Sequence, residues 1–180
     1  GKLKKAGNSL YYLGGNKATC NPTGTAQYEK YDGINGTAVA NLYADYRYPG
    51  SPTSSQDISG ANLSSPSGID DNFGARVSAL LCAPQDGSYT FWVASDDSSE
   101  LRLSTDSNPA NATTIASVNG FTNVNQWNKF PSQQSATVTL KAGQYYYIEG
   151  IYKEGGGGDH LEIGWQLPDA TQERPIANTR

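Results

Sequence analysis

In three stretches, apolar and polar residues take strict turns. Leu101 and Leu103 alternate with Glu100 and Arg102. Ala136, Val138 and Leu140 are interleaved with Ser135, Thr137 and Thr139. Leu161, Ile163, Trp165 and Leu167 are interleaved with His160, Glu162, Gly164 and Gln166. A period of two places each apolar set on one face of a strand, whereas a helix would scatter it around its surface. Tyr89–Ala94 is strongly β-prone, and 74–82 is a further apolar-rich strand candidate. Tyr145–Tyr152 is apolar on both faces, as a central strand would be. Pro84-Gln-Asp-Gly87 and Lys141-Ala-Gly143 read as turns. Thr37–Tyr43 is the one segment with a helical pattern. Residues 1–30 are polar and irregular, and residues 49–72, with Pro49, Pro52 and Pro66 among Ser and Gly, read as a long surface loop. Short strands split by Gly and Pro turns mean an all-β chain, a sandwich or a barrel.

A chain of 180 residues suits one domain with an adequate core. Its composition, with 20 Gly, 12 Tyr and no Met, agrees with turns and strands. Net charge is −4 and the pI is about 4.9, which argues against nucleic acid as a partner. No apolar run has the 18 or so residues of a membrane span. Gly1-Lys-Leu-Lys-Lys5 is basic but lacks an apolar stretch behind it, so it does not read as a signal peptide, and a mature or trimmed fragment is expected. Cys20 and Cys82 can form a single intramolecular bridge; two free core thiols are the alternative. The extracellular character of the chain favours the bridge, which would stabilise the fold by roughly 4 kcal/mol. The sequons at Asn35, Asn62 and Asn111 fit secretion but are common by chance.

The candidates for chemistry are few. His160 is the sole histidine, no Gly-x-Ser-x-Gly elbow exists, and Asp159 would point away from His160 in a strand. A nucleophilic hydrolase is therefore disfavoured, and His160 reads as a half-exposed polar residue at a strand start. Zinc lacks ligands. No carboxylate pair is marked out for glycosidase work. The Gly155–Gly158 run lacks the Lys-Ser/Thr ending of a phosphate cradle and reads as a hairpin loop. Ser95-Asp96-Asp97-Ser98 is more informative. Two adjacent carboxylates repel, and a cation can hold both only if the backbone turns sharply between them, as a cis peptide would allow. Calcium takes six to eight oxygens, and the loop Glu154–Asp159 is suited to turning carbonyls inward. A solvated loop is the plain alternative for this pair and for Asp70-Asp71.

Several ordered blocks then carry a likeness. They are Asp71-Asn-Phe-Gly-Ala-Arg-Val77, Gly87-Ser-Tyr-Thr-Phe-Trp-Val-Ala-Ser-Asp-Asp97, Glu100-Leu-Arg-Leu-Ser-Thr-Asp106 and Gln126-Trp-Asn-Lys129. Leu140-Lys-Ala-Gly-Gln-Tyr-Tyr146, Lys153-Glu-Gly-Gly-Gly-Gly-Asp159, Trp165-Gln-Leu-Pro168 and Glu173-Arg-Pro175 follow. In these blocks the chain resembles the protective-antigen fourteen-kilodalton domain family, which is named after an anthrax toxin component and includes fungal flocculins and bacterial surface adhesins. The match spans 28–175, roughly four fifths of the chain. Residues 1–27 are then an N-terminal extension packed on or flanking the domain, and 176–180 a C-terminal tail.

The resemblance implies a single-domain, lectin-like antiparallel β-sandwich with long loops. In sugar-binding members, paired aspartates joined by a cis peptide bind calcium, and they fall here on Asp96 and Asp97. The second loop would supply Glu154, carbonyls of Gly156 and Gly158, and Asp159 as an alternative side chain. Flocculins carry Asn and a bulky residue in that loop, whereas the bacterial-type members share the glycine run. The calcium would take two neighbouring sugar hydroxyls. Gln126, Trp127 and His160 are candidate sugar contacts beside Asp96 and Asp97, with a packed Trp127 as the alternative. The expectation is therefore a secreted or cell-surface, calcium-dependent glycan-binding module of a larger adhesin or carbohydrate-active protein, and not an enzyme. The alternatives are a structural or protein-interaction module, or the accessory binding module of a glycoside hydrolase.

Overall fold

The computed structural model describes residues 15–180, preceded by the backbone of two strands, β1 (Lys2–Ala6) and β2 (Ser9–Leu13), which pair antiparallel. How the extension packs over residues 1–14 lies outside the described residues. Next come β3 (Ala26–Asp32), α1 (Val39–Tyr43), β4 (Ser54–Ile58), β5 (Phe73–Cys82), β6 (Gly87–Asp96) and β7 (Ser99–Leu103). The chain ends with β8 (Thr113–Val118), β9 (Val138–Leu140), β10 (Tyr145–Glu154), β11 (His160–Gln166) and β12 (Gln172–Glu173). Two antiparallel sheets result, ordered β4-β3-β5-β10-β7-β8 and β12-β11-β6-β9. The fold is the expected antiparallel β-sandwich.

The alternation builds its core. Register sets Phe91 opposite Trp165 and Val93 opposite Ile163. These residues meet Phe73, Val77, Leu101, Ile148 and Tyr152 from the facing sheet in one buried cluster. Trp165 lies 5.1 Å from the Tyr89 ring and 6.0 Å from Phe91, centroid to centroid. Each such side chain contributes about 2–3 kcal/mol of transfer free energy as an upper bound. Gly87 opens β6 at φ +139°, and a Cβ there would stand 2.9 Å from Pro168. The turn predicted at 84–87 therefore depends on glycine. A second cluster of Tyr31, Ile34, Val39, Leu42 and Ile151 seats α1 on the outer face of the larger sheet. Gly74 permits this approach, since a Cβ there would meet Leu42 at 2.7 Å.

Two expectations need correction. Residues 1–30 are not irregular throughout, because β3 pairs with both β4 and β5. Within the expected loop 49–72, β4 (Ser-Ser-Gln-Asp-Ile) forms an almost wholly exposed edge strand. Its backbone ladder holds it, and its side chains give no apolar alternation. The C-terminal tail, 176–180, is held to the sandwich: Ile176 is buried, its N–H donates to the Ile163 carbonyl, and Arg180 bonds Glu173. Cys20 and Cys82 are joined as a disulfide. Together with the Ala18 N–H to Pro84 carbonyl bond, it ties residues 15–25 to the end of β5. Among the described residues no helix is long and apolar enough to cross a membrane.

Candidate functional site

Register brings four strand ends together. Asp96 ends β6 opposite His160, which starts β11, and Glu154 ends β10 opposite Phe73, which starts β5. The turn after β6 is pinned to the end of β10. The Asp97 N–H donates to the Lys153 carbonyl at 2.9 Å, and the Lys153 N–H donates to the Ser98 carbonyl at 3.0 Å. The Asp96–Asp97 peptide is cis. One carboxylate oxygen from each of Asp96, Asp97 and Glu154 then falls within 4.8 Å of the others. The glycine loop closes over this group, with the Gly155 N–H donating to Asp97 Oδ2 at 2.9 Å.

Glu154 is 0% exposed, and among the described residues neither of its oxygens has a hydrogen-bond partner. A buried carboxylate without partners is costly. Burial, followed by repulsion from Asp97 and Asp96, pushes its pKa up to about 7. Asp96 is pushed up to about 6, first by burial and then by Asp97. Beneath them lies Lys153, fully buried, whose Nζ donates to the carbonyls of Gly36 at 2.7 Å and Glu154 at 2.8 Å. Burial lowers its pKa. Three carboxylates of this geometry, one with both oxygens unpartnered, form a hard-oxygen donor set that a divalent cation of the calcium type fits.

The other sequence candidates take different places. Asp159 is not one of the three grouped carboxylates; its Oδ2 accepts the N–H groups of Ile69 at 2.7 Å and Asp70 at 3.3 Å and clamps the loop before β5, while its Oδ1 is buried without a hydrogen-bond partner among the described residues. Gly158 lies beside Asp96, where a Cβ would stand 3.7 Å from Oδ2. Gly156 lies beside Asp71 at 3.9 Å in the same sense. His160 does start a strand but is buried rather than half-exposed, and burial lowers its pKa. Trp127 packs in a small cluster with Trp92 and Ala94, under the Arg174 guanidinium at 5.9 Å. Trp127 is 8% exposed, as the packed alternative has it. Gln126 serves its own loop, accepting the Asn123 N–H on its side chain and a Gln133 N–H on its carbonyl. Sequence reasoning missed the role of Lys153, whose ammonium is buried between the apolar run 145–152 and the glycine loop. It also set Asp71 aside as half of a solvated pair, although Asp71 Oδ1 accepts the Gly157 N–H at 3.1 Å.

A family model described as the PA14 domain matches residues 25–179. N-acetyl-beta-glucosaminyl-glycoprotein 4-beta-N-acetylgalactosaminyltransferase 1 of Mus musculus is 39% identical over 100 residues, covering 53% of this chain and 10% of that protein. The chain thus spans about a tenth of that relative's length. Among solved structures, the PA14 sugar-binding domain from an RTX adhesin superposes with a TM-score of 0.58 at 18% identity, covering 83% of this chain and 93% of that one. The A domain of epithelial adhesin 9 from Candida glabrata, solved with Galβ1-4GlcNAc, gives 0.57 at 13% identity and covers 93% and 94%. At these identities the structural likeness bears on the fold.

Proposed function

The chain belongs to the PA14 domain family, and on that footing we propose that it is a calcium-dependent carbohydrate-binding module and not an enzyme. The observation that carries this reading is the convergence of Asp96, Asp97 and Glu154, with both Glu154 oxygens buried and unpartnered among the described residues. Calcium, when bound, would supply coordination positions for two neighbouring sugar hydroxyls. The protein's part is to hold three carboxylates in place. The paired turn at Asp97–Lys153 fixes two of them, and Lys153, by gripping the Glu154 and Gly36 carbonyls, fixes the backbone under the third. Backbone carbonyls of Gly156 and Gly158 complete the proposed donor set.

Two named neighbours support the sugar reading, one a sugar-binding domain and the other solved with a galactosyl-GlcNAc ligand. The small share of the mouse relative that the chain covers supports a module within a larger protein. The disulfide supports an extracellular setting. A glycan array read once in calcium and once in EDTA tests the proposal. Signal in calcium that vanishes in EDTA is expected. No signal in either buffer, or signal that survives EDTA, contradicts it.

A further inference from the structure

Between β3 and α1 the chain leaves the core for the exposed residues 35–38. Ile34 and Val39, both buried, anchor the ends of this loop, and the Ile34 N–H donates to the Asn72 carbonyl at 2.7 Å. Its first two residues are an Asn-Gly pair, Asn35-Gly36. Glycine is required at the second: its φ is +91°, and a Cβ there would stand 2.5 Å from Asn41 Oδ1, which accepts the Ala38 N–H at 3.1 Å. Among the described residues, neither the Gly36 N–H nor the Asn35 side chain has a hydrogen-bond partner.

An asparagine followed by glycine can close on itself, because a glycine nitrogen, with no Cβ beside it, reaches the side-chain carbonyl carbon with least obstruction. The sequence has a second such pair, Asn119-Gly120. There the glycine nitrogen is held, since the Gly120 N–H donates to Ser98 Oγ at 3.1 Å. The pairs differ in whether that nitrogen is free to attack.

The free pair stands directly before groups that brace the cation site. Among the described residues the buried Lys153 ammonium has two acceptors, the carbonyls of Gly36 at 2.7 Å and Glu154 at 2.8 Å. Thr37 lies against Gly155, where a Cβ would stand 2.9 Å from Thr37 Cγ2, and the Gly155 N–H holds Asp97 Oδ2. Lengthening the backbone ahead of Gly36 moves both supports.

We infer that Asn35-Gly36 is a self-modification site: the folded chain converts Asn35 through a cyclic imide to isoaspartate, and the product weakens the cation group by withdrawing the Gly36 carbonyl from Lys153. The Gly36 nitrogen attacks Cγ of Asn35 and forms a C–N bond. Nδ2 departs as ammonia, carrying the proton that the Gly36 nitrogen gives up. Water then adds to one imide carbonyl and breaks its bond to that nitrogen, which regains a proton. Opening at Cγ leaves an ordinary aspartate. Opening at the backbone carbonyl leaves isoaspartate, whose main chain runs through the former side chain and is one methylene longer. One water enters and one ammonia leaves, with no change of oxidation state. The weakening rests on the calcium reading; the imide chemistry does not.

The test incubates purified wild type, Asn35→Gln and Asn35→Asp in mildly alkaline water enriched in heavy oxygen. The tryptic peptide 31–47 is fragmented to place the incorporated oxygen, isoaspartate is quantified with an isoaspartyl methyltransferase, and calcium affinity is measured before and after. Position 35 should take up heavy oxygen about tenfold faster than position 119, where a hydrogen bond must break first. The wild type should lose calcium affinity about tenfold as isoaspartate accumulates. Asn35→Gln, which would close a larger ring more slowly, should keep its starting affinity. Fresh Asn35→Asp, with the added charge but a normal backbone, should bind at least as tightly as fresh wild type. No heavy oxygen at position 35, equal rates at the two positions, or undiminished calcium affinity in the isoaspartate form overturns the proposal. A loss in fresh Asn35→Asp equal to that of the aged wild type overturns it too, by assigning the effect to charge. If fresh wild type binds no calcium, the calcium reading falls and the weakening with it. The label at position 35 is read in the same samples and tells the two failures apart.

Discussion

Replacing Glu154 with Gln separates the cost of the site's charge from the benefit of its cation. Glu154 is fully buried and its oxygens lack partners among the described residues, so in the metal-free protein its charge is a liability. Two unit charges at the 4.8 Å limit of this group repel by about 3.5 kcal/mol at an effective dielectric near 20. Protonation relieves much of that near neutral pH, because the carboxyl pKa stands at about 7. A net gain of about 1 kcal/mol in EDTA at pH 8 is expected for Glu154→Gln, or about 2–4 °C in melting temperature for a domain of this size. The folded pKa lies above the unfolded value of 4.5, so the native state keeps a proton that the unfolded state releases. The cost of the charge therefore grows as pH rises from about 4.5 to about 7 and is fully present above. The advantage of Gln should be small at pH 5 and complete at pH 8.

Calcium reverses the order. At a hundredfold excess over its dissociation constant, calcium stabilises the wild type by about 2.7 kcal/mol, or roughly 5–10 °C. Glu154→Gln should lose most of that gain. Scanning calorimetry of both proteins at pH 5, 6.5 and 8, in EDTA and in calcium, reads all of these shifts. The reasoning is refuted if Glu154→Gln is no more stable than wild type in EDTA at pH 8, or if its calcium shift equals that of the wild type.

Two further outcomes are expected. Reducing the Cys20–Cys82 bond, which spans 62 residues, should cost about 4 kcal/mol and lower the melting temperature by about 8–16 °C; an unchanged calorimetric transition in reductant would show that the bond constrains little. Gly155→Ala would place a methyl group 2.9 Å from Thr37 Cγ2 and 3.4 Å from Asp97 Oδ2. It should weaken calcium binding about tenfold, by displacing Asp97, while costing about 1–3 kcal/mol of stability; calcium titration at wild-type affinity would contradict this.

How much of this was legible in the residues follows from what each element is made of. β7 and β11 announced themselves by alternation and β6 by its β-prone residues, and β6 and β11 pair in a register that sets Phe91 opposite Trp165 and Val93 opposite Ile163. The edge strand β4 did not, because backbone pairing holds it and its side chains stay in solvent. Asp96 and Asp97 stood out by adjacency, and Glu154 by its place before the glycine run. The burial of Glu154 had no signal, since it arises from β10 pairing across the turn at Asp97. For Trp127 the sequence left a sugar contact and a packed ring both open, because its loop has no periodicity; Trp92 and Arg174, distant in the chain, pack against it.

The central claim is that Asp96, Asp97 and Glu154 hold one calcium ion through which sugar is bound. It is tested most directly by calorimetric titration of calcium into the wild type and Asp97→Ala, with the fold of each checked by circular dichroism. One ion per chain in the wild type, and no measurable binding to a still-folded Asp97→Ala, is the predicted result. Equal binding by the two proteins would contradict it.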